Sequence, residues 1–151
     1  MNNKIFIDTG ILLHLFSSDE PEKQEQVINI LDNDARHVVI SEQVVYEFAA
    51  ALLRIYDCNL SFEEIKMETE CIISLADDVV NGTPDLTLQT LETHATLFDG
   101  YGYSFFDSKI ITAAIFDGCK ILLSEDFEHG QIIGDLKIIN PFVDINIDEE
   151  E

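Results

Sequence analysis

The chain has 151 residues, a length that fits one folded domain around a single core. Hydrophobic residues make up 46% of it and charged residues 25%, as in a globular protein, and no apolar run approaches the roughly 20 residues that span a bilayer. The 30 acidic against 8 basic residues give a net charge of -22, which disfavours a protein that binds nucleic acid or membranes by charge alone.

The N-terminus does not have the pattern of a secretory signal, and the C-terminus is strongly acidic. The first residues lead directly into the apolar run at residues 5–7, without the longer apolar stretch of a secretory signal, so we expect a cytoplasmic protein. The last four residues are all acidic. We therefore expect one domain over residues 1–143, followed by a frayed acidic tail over residues 144–151.

Short apolar runs alternate with helical patterns along the chain. Strands are expected at residues 5–7, 38–40, 79–80, 121–123 and 136–139, and helices at about 11–16, 20–31, 42–56, 62–76, 84–98 and 105–116. Ser41 is a candidate N-cap, Ser61 and Ser104 begin capping boxes, and Gly100 and Gly102 are expected to end the fifth helix. Because the strands are apolar throughout, the pattern predicts an α/β domain with a mainly parallel sheet of four to five strands and helices on both faces.

Two acids follow apolar strands directly. Asp8 comes after the first strand and Asp126 after the strand at residues 121–123. Polar groups at the carboxyl ends of strands in open α/β sheets are candidate ligands. From the residues alone, Asp8 could instead be a helix N-cap and Asp126 part of a turn, and Glu125 competes with Asp126 as the acid that faces the site.

Asp107 and Glu47 lie on helices. The helical periodicity places Asp107 in the middle of an apolar face with Ile110 and Ala114, where an unpaired carboxylate is costly, although a first-turn acid that bonds the Ser104 backbone is the alternative. Glu47 lies at the edge of an apolar arc and reaches inward, unless it pairs with Arg54 on the same helix.

Taken together, these residues resemble the PIN domain, as found in the toxin subunits of VapBC-type toxin-antitoxin pairs. The resemblance rests on four segments in order, residues 5–13, 41–48, 103–114 and 122–126. The acidic positions of the family fall on Asp8, Glu47, Asp107 and Asp126. Gly10 stands where the family commonly has Asn, and Ser124 resembles a small hydroxyl residue that helps to order the site.

The resemblance implies a metal-dependent endoribonuclease. The four acids would hold one or two Mg²⁺ or Mn²⁺ ions, directly or through water, and the ions would promote attack of water on an RNA phosphodiester. It also implies an antitoxin protein as partner, and we expect a homodimer. Of the few basic residues, Lys109 is the expected phosphate contact near the site.

Other kinds of site are disfavoured. A phosphatase of the Asp-x-Asp type lacks its second acid at Gly10, no dinucleotide-binding glycine motif follows a strand, and no serine elbow is present. The alternative that remains is a PIN-shaped binding or regulatory protein with feeble catalysis, whose acidity serves to bind a basic protein.

Overall fold

The fold is described here from a computed structural model. The structure describes residues 2–16, 19–54 and 59–143, except for the side chain of Phe98. The acidic tail expected over residues 144–151 and the end of the helix expected near Tyr56 lie outside the described residues.

Strands and helices alternate along the described chain. The strands are β1 (Lys4–Ile7), β2 (His37–Ser41), β3 (Asp78–Val80), β4 (Ile121–Leu123), β5 (Ile132–Ile133) and β6 (Leu136–Ile139). The helices are α1 (Thr9–Leu13), α2 (Pro21–Leu31), α3 (Glu42–Arg54), α4 (Phe62–Leu75), α5 (Pro84–Tyr101) and α6 (Phe105–Phe116). No helix of the described residues is long and apolar enough to cross a membrane.

The strands form one sheet in the order β3-β2-β1-β4-β6-β5, which is parallel except for the antiparallel pair of β5 with β6. The central strands are buried: Ile5, Phe6, Ile7 and all of β4 expose 1% of their surface or less. Such strands need cover on both faces, which the helices supply. The predicted α/β fold with a mainly parallel sheet is confirmed.

Side chains at the helix starts explain where the helices begin. The hydroxyl oxygens of Ser61 and Ser104 each accept the N–H of the residue three positions on. In turn, the carboxylates of Glu64 and Asp107 accept the N–H of the respective serine. The hydroxyl of Ser41 accepts the N–H of Val44 at the start of α3, at 3.3 Å. Each bond satisfies a backbone donor that would otherwise have no partner within the helix.

Two expectations about the elements are wrong. The sheet has six strands in the described residues, because the pair Ile132–Ile133 adds a short antiparallel edge that a two-residue apolar run does not reveal. Helix α5 also continues through Gly100 to Tyr101. A single glycine costs a helix only about 1 kcal/mol, whereas Gly102, with φ +68°, lies in the left-handed region that follows helix ends.

The order of the strands reverses direction beside β1. From β1 the chain proceeds through β2 to β3 on one side, and β4 returns to pair with the other edge of β1. Ligands in open α/β sheets gather at the carboxyl ends of the strands at such a switch point. The residues that follow β1 and β4 therefore lie where a ligand site is expected.

Candidate functional site

Asp8 lies at this switch point. It follows β1 immediately, is only 6% exposed, and its N–H donates to the carbonyl of Leu123 in β4 at 3.0 Å. One carboxylate oxygen accepts the N–H of Thr9 at 2.8 Å, which makes Asp8 the N-cap of α1. The other accepts the hydroxyl of Ser124 at 2.8 Å. The capping role and the strand-end position thus coincide in one residue.

Ser124 connects the two strand ends. Its side chain is fully buried, and its oxygen accepts the N–H of Asp126 at 3.1 Å while its hydroxyl donates to Asp8. The loop after β4 is thereby held against the loop after β1. Ser124 therefore fixes the Asp8 carboxylate relative to the backbone of Asp126.

The Asp8 carboxyl carries a strong electrostatic signature. The pKa of Asp8 is raised from its ordinary value of 3.8 to about 6. Burial is the largest cause, the bonds from Ser124 and Thr9 oppose it, and the negative charges of Asp126 and Glu47 add to it. The effect of both acids on Asp8 means that three carboxylates share this end of the sheet.

Glu47 is connected to the same end through α1. One of its oxygens accepts the hydroxyl of Thr9 at 3.2 Å, and the other accepts the side-chain amide of Gln43 at 2.7 Å. Its carboxylate is engaged by these two residues and not by Arg54, which is exposed at the end of α3. The inward orientation expected for Glu47 agrees with these contacts.

Glu125 turns away from the site. Its carboxylate bonds the ring of His14 at 2.5 Å and the ammonium group of Lys23 at 3.0 Å. Asp126, in contrast, is exposed and close enough to raise the pKa of Asp8. Of the two acids that competed for this place in the sequence, Asp126 is the one beside Asp8.

Asp107 does not lie in the middle of a buried apolar face, as the helical periodicity suggested. It is half-buried in the first turn of α6, and its Oδ2 accepts the N–H of Ser104 at 3.1 Å. The periodicity misleads because α6 is buried on nearly all sides from Ser108 to Ala114, so its apolar residues are not confined to one face. The Oδ1 atom of Asp107 makes no hydrogen bond to the described part of the chain.

A cleft of about 430 Å³ lies between α3 and α6 and includes Glu47 in its lining. Lys109, the residue expected to contact a phosphate, also lines this cleft. The remaining lining residues are Glu42, Gln43, Tyr46, Gly82 and Phe106. Thr9 and the cleft residues Gln43, Tyr46 and Phe106 were not singled out in the sequence, and the two aromatic residues at exposed helix positions were the available signal.

The donor set is suited to a hard divalent cation, since its atoms are carboxylate and hydroxyl oxygens. The acids are not gathered as a complete ligand shell: among the described residues, no group of three or more His, Cys, Asp or Glu is placed to hold a metal ion. Asp8 has both carboxylate oxygens in hydrogen bonds, and Asp107 has one. The chemistry of the residues fits Mg²⁺ or Mn²⁺, and their ligand roles stay a prediction.

An α/β sheet with acids at its switch point defines a class of protein, and comparison with known proteins identifies the family. The profile of the PIN domain matches residues 5–133, and the chain belongs to the PIN domain family. No curated protein sequence matches the chain.

Several solved structures share the fold. VapC20 of Mycobacterium tuberculosis, described as a sarcin-ricin loop cleaving toxin, is 20% identical over 81% of this chain and 89% of its own, with a TM-score of 0.63. DNA-bound VapBC of Salmonella typhimurium is 19% identical over 89% and 96%, with a TM-score of 0.65. FitAcB of Neisseria gonorrhoeae is 18% identical over 91% and 98%, with a TM-score of 0.62. At these identities the likeness concerns the fold.

Proposed function

We propose that this chain is a metal-dependent endoribonuclease and the toxin subunit of a VapBC-type toxin-antitoxin pair. The observation that carries the proposal is the placement of Asp8 at the switch point of a PIN-domain sheet, bonded to Ser124 and close to the charges of Glu47 and Asp126. Crowded carboxylates at a strand end are the arrangement that a divalent cation relieves.

The proposed ligands are Asp8, Glu47, Asp107 and Asp126, and the proposed ion is Mg²⁺ or Mn²⁺. When bound, such an ion lowers the pKa of water and stabilises charge on the phosphate. The protein's own residues orient the ligands: Ser124 holds Asp8 and the backbone of Asp126, and Thr9 and Gln43 hold Glu47. Lys109 is proposed to contact the phosphate of the RNA.

The proposed partners follow from the structural relatives. VapC20 is described as cleaving the sarcin-ricin loop, which supports RNA as the substrate class. The VapBC complex bound to DNA supports an antitoxin as partner. A segment with arginine side chains would bind this acidic chain tightly, since carboxylates accept paired bonds from a guanidinium group. We further propose a homodimer that acts in the cytoplasm, where its RNA would be found.

The test is cleavage of RNA by the purified chain with Mg²⁺ or Mn²⁺, and with EDTA. Asp8→Ala and Glu47→Ala should each abolish cleavage and any growth toxicity while the fold is kept. Glu92→Ala removes an exposed acid of α5 and is the matched control, which should cleave as the wild type does. Cleavage that persists in EDTA, or in Asp8→Ala, contradicts the metal mechanism.

The second candidate is a PIN-shaped binding protein with feeble catalysis. One observation favours it: Asp107 caps its own helix, and the described acids do not form a ready three-ligand group. This candidate predicts tight binding of a basic protein with no metal-dependent cleavage above that of Asp8→Ala. The same cleavage assay therefore separates the two functions.

A further inference from the structure

Two aromatic rings stand exposed at the cleft between α3 and α6. Tyr46 is 75% exposed and Phe106 is 70% exposed, and both line the cleft that includes Glu47. They do not belong to the core, because α3 buries Val44, Phe48 and Leu52 instead. Exposed aromatic rings that line one cleft beside a candidate active site are typical of a ligand-binding surface.

Lys109 provides the cleft with a positive charge. It is half-buried and makes no ion pair with any residue in the described part of the chain. This is unexpected in a protein with 30 acids, in which Lys4 and Lys23 each contact two carboxylates. Glu42 and Glu47 also line the cleft, but neither forms an ion pair with Lys109, so the charge of this lysine can be offered to a ligand.

Gln43 connects the cleft to the candidate site. Its amide nitrogen donates to Glu47 at 2.7 Å and to the carbonyl of Phe106 at 3.2 Å. Its carbonyl oxygen is buried and has no hydrogen-bond donor among the residues that the structure describes. A buried acceptor without a donor costs free energy, so this arrangement of Gln43 is maintained at a cost.

We propose that this cleft binds one unpaired nucleobase of the RNA, stacked on Tyr46 and Phe106, with Lys109 on the adjoining phosphate. The inference rests on the proposed function and adds the form of its substrate, which is single-stranded at this position. The cleft volume of about 430 Å³ falls in the ordinary range for small-molecule sites. Every base has a flat face that stacks on an aromatic ring, whereas a paired base keeps both faces inside its helix.

Stacking also resolves the conflict between the charge of the protein and an RNA substrate. A net charge of -22 repels phosphates, and with 8 basic residues the protein can neutralise few of them. The attraction between a base and an aromatic ring does not depend on net charge. The proposed subsite therefore contributes RNA affinity that the acidic surface does not cancel.

The chain contains no Trp, so Phe106→Trp introduces a single indole whose fluorescence a stacked base quenches. The probes are a short single-stranded RNA, the same RNA with one abasic position, and its duplex, all in EDTA, where the proposed cleavage does not proceed. We expect quenching by the single strand, weaker quenching by the abasic strand and none by the duplex. Phe116→Trp, at the other end of α6 and 56% exposed in the wild type, is the matched control and should not respond.

Binding of the single strand is then compared between alanine variants. Tyr46→Ala and Phe106→Ala should each raise Kd roughly tenfold, in line with stacking losses measured elsewhere, without changing the slope of log affinity against log salt. Lys109→Ala should instead flatten that slope by about 0.7, the value for one phosphate on a single strand. Phe116→Ala should leave both the affinity and the slope unchanged.

The outcomes separate this inference from the proposed function. A wild type that cleaves RNA, with Tyr46→Ala and Phe106→Ala binding as Phe116→Ala does, overturns the subsite and keeps the nuclease. Quenching by single strands without metal-dependent cleavage supports the subsite and overturns the nuclease. Loss of dimer or of protein-partner binding in the aromatic variants, with RNA affinity unchanged, assigns the surface to a protein and overturns the subsite.

Discussion

Asp8 combines burial with two nearby negative charges, so its ionisation works against folding. Its pKa is raised from 3.8 to about 6, chiefly by burial. The folded state then binds the Asp8 proton more tightly than the unfolded state does, and the stabilising contribution of the protonated form is lost as pH rises from about 4 to 6.

Asp8→Asn should therefore stabilise the metal-free protein above pH 6. The asparagine resembles the protonated acid, so its advantage over the wild type should be small below pH 4 and grow to at most about 3 kcal/mol near pH 7. Urea unfolding of both proteins in EDTA across this range measures the difference. An advantage that is independent of pH would mean that Asp8 ionises as an ordinary surface carboxyl does.

Ser124→Ala should affect both the stability and the pH profile. The substitution leaves an oxygen of the buried Asp8 and the N–H of Asp126 without their partner, at a cost of about 1 to 3 kcal/mol. It also removes a bond that lowers the pKa of Asp8, so the Asp8 pKa should rise further. Metal-dependent cleavage should then require a higher pH than in the wild type. A loss of stability with an unchanged pH profile would assign Ser124 to packing alone.

Asp107 has a capping role that must be separated from a ligand role. Asp107→Asn keeps an oxygen that accepts the Ser104 N–H but removes the charge. The free energy of unfolding without metal should therefore stay within about 0.5 kcal/mol of the wild type. The rise in melting temperature with Mn²⁺ should be mostly lost, because a weaker site gains less by mass action. An equal Mn²⁺ response in both proteins would exclude Asp107 as a ligand.

At the scale of elements, α4 and α6 begin with the same capping box but differ in what they carry. Ser61→Ala and Ser104→Ala should each cost about 1 kcal/mol in unfolding free energy, because each removes the acceptor for one backbone N–H. Only Ser104→Ala should reduce RNA cleavage, since α6 presents Asp107 and Lys109 while α4 presents no candidate site residue. Equal activity in the two variants would show that the start of α6 does not position the site.

The strands and helix starts were predictable because their signals are local. An apolar run before Asp8 and a serine three residues before Glu64 each require only a few neighbouring residues to be interpreted. The edge strand Ile132–Ile133 has no such signal, since it is two residues long and Ile132 is 65% exposed. It forms by pairing with β6, and this pairing is visible only in the assembled sheet.

The candidate site was predictable in part for the same reason. Asp8 and Asp126 are marked by the strands that precede them, so their common end of the sheet follows from the parallel order. The contact of Thr9 with Glu47 joins residues 38 positions apart, and no local pattern announces it. Only the expected place of Asp107 in the middle of an apolar face was wrong, because its helix is buried on nearly all sides and helical periodicity then has no polar face to contrast with an apolar one.

For the whole molecule, charge repulsion should make stability depend on ions in two separable ways. With 30 acids against 8 bases, NaCl should raise the melting temperature of every variant by screening. Mg²⁺ at matched ionic strength should raise it further in the wild type and in Glu92→Ala, but not in Asp8→Ala. Differential scanning fluorimetry in the two salts measures both effects, and a Mg²⁺ increment that survives in Asp8→Ala would indicate diffuse binding instead of a site.

The bond between Ser124 and Asp8 joins residues 116 positions apart, across the pairing of β4 with β1. During synthesis, Asp8 is made 116 residues before Ser124, so the two can bond only after β4 has been made. No earlier stretch of the chain contains both halves of the site. Under the proposed function, the complete site therefore forms only after the residues that follow β4 have been made.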